Sequence, residues 1–277
     1  MNRKLSRGAI IVSEIFLIGY AISLIFPYIW LLNNSFKTVA DFYKNIWNLP
    51  ITWEFSNYVD ALKETKMISY FMNSIIITIV ATTIQIMLSS MTAYVLAKYK
   101  FRGHSIIFAM TVSKLLIPAV GTLAPMYIFM SKMHLFNTFG LILLYATGLG
   151  TNMLIFYAFF KGIPWSYAEA AFIDGAGDWT VFWKIMLPMA RNAIAAVGII
   201  SAITIWNDYF MPSILLTNPK RQTVAVGLYQ LQVQQQFSAT WTTLFAAVII
   251  ATLPMIILYI VFQEKVRKGF RMGGLKG

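Results

Sequence analysis

Six stretches of the chain stay apolar for long enough to cross a hydrocarbon layer of about 30 Å, which takes roughly 20 helical residues. They run over about 9–32, 70–97, 105–130, 137–160, 192–216 and 241–263, with polar residues gathered between them. The pattern predicts an all-α polytopic membrane protein of six transmembrane helices, forming a single transmembrane domain over residues 1–277. The first run follows Arg3, Lys4 and Arg7, as the apolar core of a signal peptide would. It continues without a small-residue cleavage site, which predicts a retained first span. Pro118, Pro125, Pro212 and Pro254 fall inside predicted spans. There, neighbouring helices or water must satisfy the carbonyls they free. No inverted repeat of the kind found in secondary carriers is visible.

Composition sharpens this picture. The chain is 58% hydrophobic and only 12% charged, against about a quarter charged in soluble proteins. A net charge of +12 would point to nucleic acid in a soluble protein, but in a chain solvated by membrane lipid it records which loops face the cytoplasm. Arg3, Lys4, Arg7, Lys98, Lys100, Arg102, Lys161, Lys184, Arg191 and the basic tail after Gln263 all fall on one side of the predicted spans. The other side carries half as many basic residues, among them Lys37, Lys44, Lys63, Lys132 and Arg221. The positive-inside rule therefore predicts a multi-pass protein of the cytoplasmic membrane with both termini, and the loop over 161–191, in the cytoplasm. With no cysteine, disulfides, thiolate metal sites and cysteine nucleophiles are excluded.

That cytoplasmic loop is more ordered than a connector needs to be. Pro164 suits the first turn of a helix, Ser166 to Ile173 contains no strong breaker, and Gly175 stands where a chain leaves a helix through positive φ. Asp178 is placed to cap a second helix, which Pro188 disturbs. A helix-turn-helix results, and such a loop has a reason to exist if another protein docks on it.

The same loop resembles the cytoplasmic "EAA loop" of ABC importer permeases. Glu169-Ala170-Ala171, then Gly175 after three residues, then Ile185-x-Leu187-Pro188 after nine more, fit that pattern without a gap. Further matched pieces are Pro27-Tyr28-Ile29-Trp30, Ser35-Phe36-Lys37, Asn57-Tyr58, Ala93-Tyr94-x-Leu96-Ala97, Asn137-Thr138-x-Gly140 and Trp206-Asn207-Asp208-Tyr209. The likeness covers nearly the whole chain and is to the carbohydrate-uptake branch, in the subunit type of the maltose-transport second permease. It implies a type I ABC importer permease fold in a bacterial or archaeal membrane. It also implies a homologous second permease, two ATP-binding subunits, an extracytoplasmic substrate-binding protein and a carbohydrate substrate, expected to be an oligosaccharide. By the same resemblance Glu169, Ala170, Ala171, Asp174, Gly175, Leu187 and Pro188 belong to the surface that couples to the ATPase.

Nothing in the chain reads as catalytic. There is no Gly-x-x-x-x-Gly-Lys-Ser/Thr loop, so ATP and magnesium are expected on partner subunits and no cofactor on this chain. His104 and His134 stand alone in loops on opposite sides, which predicts solvated residues and no metal site. Glu14, Lys114 and Asp208 lie within or near predicted spans, where charge is costly and tends to face protein or a wet cavity. Glu14 is close enough to the cytoplasmic end to reach the interface. Lys114 sits about ten residues into its span, which is consistent with lining a translocation cavity or with pairing to a carboxylate of a partner. Trp206, Asn207 and Asp208 combine an aromatic face with amide and carboxylate groups, a combination that suits a sugar but is also found in interfacial belts. The segment from Thr217 to Thr240, with Gln230, Gln232, Gln234, Gln235 and Gln236, is expected as a polar external loop that meets the binding protein or stays solvated. A secondary sugar carrier working without an ATPase is the competing reading.

Overall fold

The computed structural model describes residues 7–63 and 66–274; Arg3, Lys4 and Lys276, which entered the charge argument, lie outside them. In chain order the helices are α1 (Arg7–Ser35), α2 (Val39–Lys44), α3 (Ser56–Lys63), α4 (Met67–Lys98), α5 (His104–Leu116), α6 (Ala119–Lys132), α7 (Thr138–Tyr145) and α8 (Thr151–Gly162). They continue as α9 (Ser166–Ile173), α10 (Asp178–Val181), a π-helical turn over Phe182–Met186, α11 (Leu187–Met189), α12 (Arg191–Asn207) and α13 (Phe210–Leu215). A 3-10 turn at Pro219–Arg221 precedes α14 (Val224–Ser238) and α15 (Trp241–Gly274). Among the described residues there is no β-strand.

The chain divides into two compact units, one from residues 1–68 and 227–253, the other from residues 69–226 and 254–277. In the first, Trp30 of α1 packs edge-on to Phe42 and Trp47 at ring-centroid distances of 6.5 and 6.3 Å, and to Phe245 of α15 at 5.5 Å. Two short helices, α2 and α3, follow α1, and a polar knot ties their segment to its end. Asn57 donates to the carbonyls of Ser35 (2.9 Å) and Lys37 (2.8 Å), and its Oδ1 accepts from Thr242 Oγ1 at 3.2 Å. Ser35 Oγ and the Tyr58 hydroxyl share a 2.7 Å bond, and the fully buried Lys37 donates to the Asn45 carbonyl at 2.9 Å. Burial depresses the Lys37 ammonium below the usual lysine range, and the charge of nearby Asp41 opposes that shift. Asn57→Ala is therefore expected to strand two carbonyls and a hydroxyl in the interior. At about 1–3 kcal/mol for a stranded buried group, it should lower the thermal unfolding midpoint in detergent without affecting residues of the second unit, as hydrogen exchange would show.

In the second unit α4 runs unbroken past two cores. One gathers Tyr94, Phe156, Phe160, Val181, Phe182 and Met186, and the other Ile77, Leu141, Ile205 and Leu215. Among the described residues α1, α4 and α15 are each long and apolar enough to cross a membrane unaided.

The third, fourth and fifth predicted spans are not continuous helices. The third breaks at Ile117-Pro118, where Pro118 supplies no N–H and Ile117 is driven to an extended conformation (φ −83°, ψ 119°). The fourth breaks between Tyr145 and Thr151, across Gly148 and Gly150. The fifth breaks at Asp208 (ψ 115°), whose Oδ1 accepts from the backbone N–H groups of Phe210 (2.8 Å) and Met211 (3.2 Å) and so starts α13. The expected external loop over Thr217–Thr240 is largely the helix α14, and its Gln235 is buried, accepting from Ser238 and Thr240. His104 is likewise no solvated loop residue: it opens α5 with Nε2 at 2.8 Å from the Leu96 carbonyl.

Candidate functional site

The loop after α8 is built as its punctuation suggests. α9 spans Ser166–Ile173, and the chain leaves it at Gly175 with φ +80°, a conformation that costs a residue with a Cβ about 1–2 kcal/mol. Ala168 and Ala171 turn inward and are buried, while Tyr167, Glu169, Ala170 and Asp174 face outward and Ile173 is 86% exposed. Small residues on the inner face let α9 lie close on the core formed by Tyr94, Phe160 and Phe182. Lys98, at the end of α4, donates to the Ile163 carbonyl and fastens the entry to the loop. Pro188 cannot bond to the Lys184 carbonyl one turn back, and the preceding turn widens into the π-helical segment, closed by Leu187 N–H on Phe182 O. Asp178 does not cap its own helix. Its carboxylate accepts from the Tyr99 hydroxyl at 2.7 Å, and that hydroxyl also meets Tyr94 at 3.2 Å.

Lys114 occupies the last turn of α5 and reaches the break between α7 and α8. Its Nζ donates to Thr147 Oγ1 at 2.8 Å and to the Leu149 carbonyl at 3.1 Å. It borders a cavity of ≈ 370 Å³ that Gln85, Thr147, Thr151, Asn152, Ser201 and Thr204 also line, with no acidic side chain among the lining residues. Asn152 and Ser201 hold each other at 2.8 Å, whereas the buried Oε1 of Gln85 has no partner. Gln85 belongs to a stripe on α4 that includes Thr78, Thr82 and Ser89, whose buried hydroxyls likewise have no partner. None of the other candidates lines this cavity, although Asp208 bonds to Tyr145, which does. Trp206 is buried edge-on against Phe71 at 5.7 Å, Asp208 Oδ2 accepts from the Tyr145 hydroxyl at 2.7 Å, and Asn207 is exposed. Glu14 lies on an exposed face of α1.

A helical membrane chain that carries an ordered loop with an outward apolar face, and a polar hollow at its helix breaks, has the parts of a transport subunit. Residues 10–272 match the family described as binding-protein-dependent transport system inner membrane component. The chain belongs to that family. The permease is 34% identical to the diacetylchitobiose uptake system permease protein NgcG of Streptomyces coelicolor, over 95% of this chain and 87% of that one. It is 31% identical to the probable starch degradation products transport system permease protein AmyC of Thermoanaerobacterium thermosulfurigenes, over 94% and 95% of the two chains. Its fold is that of a chain in the crystal structure of a bacterial ABC transporter involved in the import of the acidic polysaccharide alginate. The TM-score is 0.84 at 24% identity, covering 95% of the permease and 99% of that chain. The permease is thus a membrane-spanning subunit of a binding-protein-dependent transporter, and a transport subunit rather than an enzyme.

Sequence reasoning missed the groups that surround Lys114. The signal was present in Thr147-Gly148-Leu149-Gly150-Thr151, two glycines and two threonines inside an apolar run, which argues for a break. The Tyr94–Tyr99–Asp178 chain was also missed, since its members are far apart in sequence. Burial, and after it the bonds to Tyr94 and Asp178, push the Tyr99 hydroxyl well above the ordinary tyrosine range. In the folded permease it keeps a proton that an unfolded tyrosine loses near pH 10. The stability this contributes is whole below about pH 10 and is lost as pH rises further, because the native state then binds more protons than the unfolded one. Tyr99→Phe should flatten the decline of the unfolding midpoint in alkali, which a thermal series from about pH 8 to 11 would detect.

Proposed function

We propose that the permease forms half of the translocation pathway of an ATP-driven carbohydrate importer, with an oligosaccharide as substrate, and that its 161–191 loop transmits the motion of the ATPase. A homologous second permease completes the pathway. Two ATP-binding subunits carry ATP and magnesium and dock on the cytoplasmic loops, an extracytoplasmic binding protein delivers the sugar, and both termini lie in the cytoplasm. The carbohydrate reading is supported by the relatives, named for diacetylchitobiose uptake and for transport of starch degradation products. The observation that carries the coupling role is the outward face of α9, where Tyr167 and Ile173 are 51% and 86% exposed beside Glu169. An apolar surface of this kind in an aqueous compartment calls for a partner.

Glu169, Ala170 and Asp174 meet the ATPase directly. Ala171, Gly175, Leu187 and Pro188 set the depth and exit angle of the loop. Closure of the ATPase pair pushes on α9 and switches the pathway between its two openings as a rigid-body movement. Orientation has a simple test, because the chain contains no native cysteine. A cysteine at Gly162 should react with an impermeant maleimide only in inverted vesicles, and one at Asn48 only in intact cells. External labelling at position 162 would overturn the topology. The importer reading further requires that reconstituted permeases take up sugar only with ATP, the ATPase subunits and the binding protein. Gradient-driven uptake by the permease alone would restore the secondary-carrier reading.

A further inference from the structure

We propose that the Lys114 cavity receives an acidic sugar unit during transport, its carboxylate on the Lys114 ammonium and its hydroxyls against Thr151, Ser201 and Thr204. This rests on the carbohydrate reading above and narrows it from sugars in general to sugar acids. The cavity is furnished for hydroxyl groups: Thr151, Asn152, Ser201 and Thr204 line it, and all are neutral. A neutral sugar could be held by such residues alone. A cation at this depth is costly, and what it adds is attraction for negative charge. No acidic side chain lines the cavity; Asp208 stands behind its wall, held by the hydroxyl of the lining residue Tyr145 and by two backbone amides rather than by the ammonium. An ammonium group has three donors, and two are taken up by Thr147 and the Leu149 carbonyl, both uncharged. One N–H remains for a ligand. The hydroxyl-bearing wall gives the other half of the fit: a bare anion would satisfy the lysine but leave Thr151, Ser201 and Thr204 unused, whereas a hydroxy acid meets both. At ≈ 370 Å³ the cavity is of a size for one sugar ring at a time.

The test reads Lys114 itself. The assembled importer in nanodiscs of zwitterionic lipid is treated with methyl acetimidate, and modification of Lys114 is followed by peptide mass mapping. Digalacturonate is the probe, and its methyl ester, equal in shape but neutral, is the comparison. Digalacturonate should slow modification of Lys114 about tenfold, and the ester should hardly slow it. Equal protection by both probes, or protection by neither, overturns the proposal. So does protection without sugar in discs containing phosphatidylglycerol, since the ligand would then be a lipid headgroup. A second arm measures uptake with Lys114→Gln, which keeps a donor but not the charge. Loss of digalacturonate uptake with the complex intact supports the sugar acid. Unchanged uptake of maltotriose together with no uptake of digalacturonate by the unmodified importer leaves the carbohydrate reading standing and removes this one. Failure to transport any neutral or acidic sugar removes the carbohydrate reading as well.

Discussion

In the assembled importer, Glu169→Lys and Gly175→Val should each leave the permease inserted while sugar moved per ATP falls by roughly tenfold, a loss of about 1.4 kcal/mol of coupling. Glu169 sits in the first turn of α9 on its outward side, so reversing its charge removes a negative group from the docking face and places a positive one there. Its own helix loses little, because exposed charges near a helix start contribute only marginally. Gly175 acts by another route. Its φ is +80°, and a Cβ added there would meet no atom within 4 Å, so the penalty is purely conformational. A β-branched residue resists this region more strongly than most, and the chain would relax by turning α10 away from its present exit direction. Lys132→Ala, at the exposed C-terminal end of α6 and far along the chain from the loop, should change nothing. Sugar uptake and phosphate release measured on the same proteoliposomes decide the matter. Normal stoichiometry in both loop variants would remove the loop from the coupling path.

A second large effect is expected at a position with no role in transport chemistry. A Cβ on Gly140 would stand 2.0 Å from the Leu135 carbonyl oxygen and 2.8 Å from Leu135 Cβ. The obstacle is backbone, held in place by the turn that precedes α7, in which Leu135 N–H bonds to the Met130 carbonyl at 2.9 Å and Asn137 Oδ1 caps Gly140 N–H at 3.0 Å. Gly140→Ala must open that turn, at or beyond the 1–3 kcal/mol typical of overpacking (an approximate range). Neighbouring Leu141 is fully buried in the core with Ile77 and Leu215, so the disturbance reaches the interior of the second unit. The expected result is a sharp fall in the yield of monodisperse protein. Gly162→Ala and Gly121→Ala, where an added Cβ meets nothing within 4 Å, should be tolerated. Equal yields for all three would show that the α6–α7 turn relaxes freely.

The readings that succeeded from sequence rested on local signals. Ser166–Ile173 is a helix because Pro164 and Gly175 bracket it with conformations that each imposes by itself. The first, second and last spans are apolar without interruption, so length alone identifies them. What could not be read depends on partners brought together by folding. Asp178 has the chemistry of a cap, yet its carboxylate is drawn to Tyr99, a phenol 79 positions away. Asp208 sits in an aromatic motif that suits a sugar, yet it accepts from two backbone amides and from Tyr145. The glutamine-rich stretch before α15 has loop composition, yet α14 forms there and buries Gln235. Asp178 and Asp208 each meet a phenol far along the chain, Tyr99 and Tyr145, whereas Gln235 is held within its own segment by Ser238 and Thr240.

The break in the fourth span bears on how the protein enters its membrane. At 1.5 Å per residue, α7 with 8 residues and α8 with 12 reach only about 12 and 18 Å, well short of the roughly 30 Å a lone helix must cover. Neither half can settle in lipid by itself, and the strand of backbone between them would expose bare carbonyls to hydrocarbon. The Leu149 carbonyl finds its donor on Lys114, which belongs to the preceding span and emerges from the ribosome earlier. The amine that makes the break tolerable is therefore already waiting when the break arrives. Insertion of α7 and α8 becomes a docking event onto earlier helices rather than an independent partition into the bilayer, and the order of synthesis becomes part of what makes the sequence foldable.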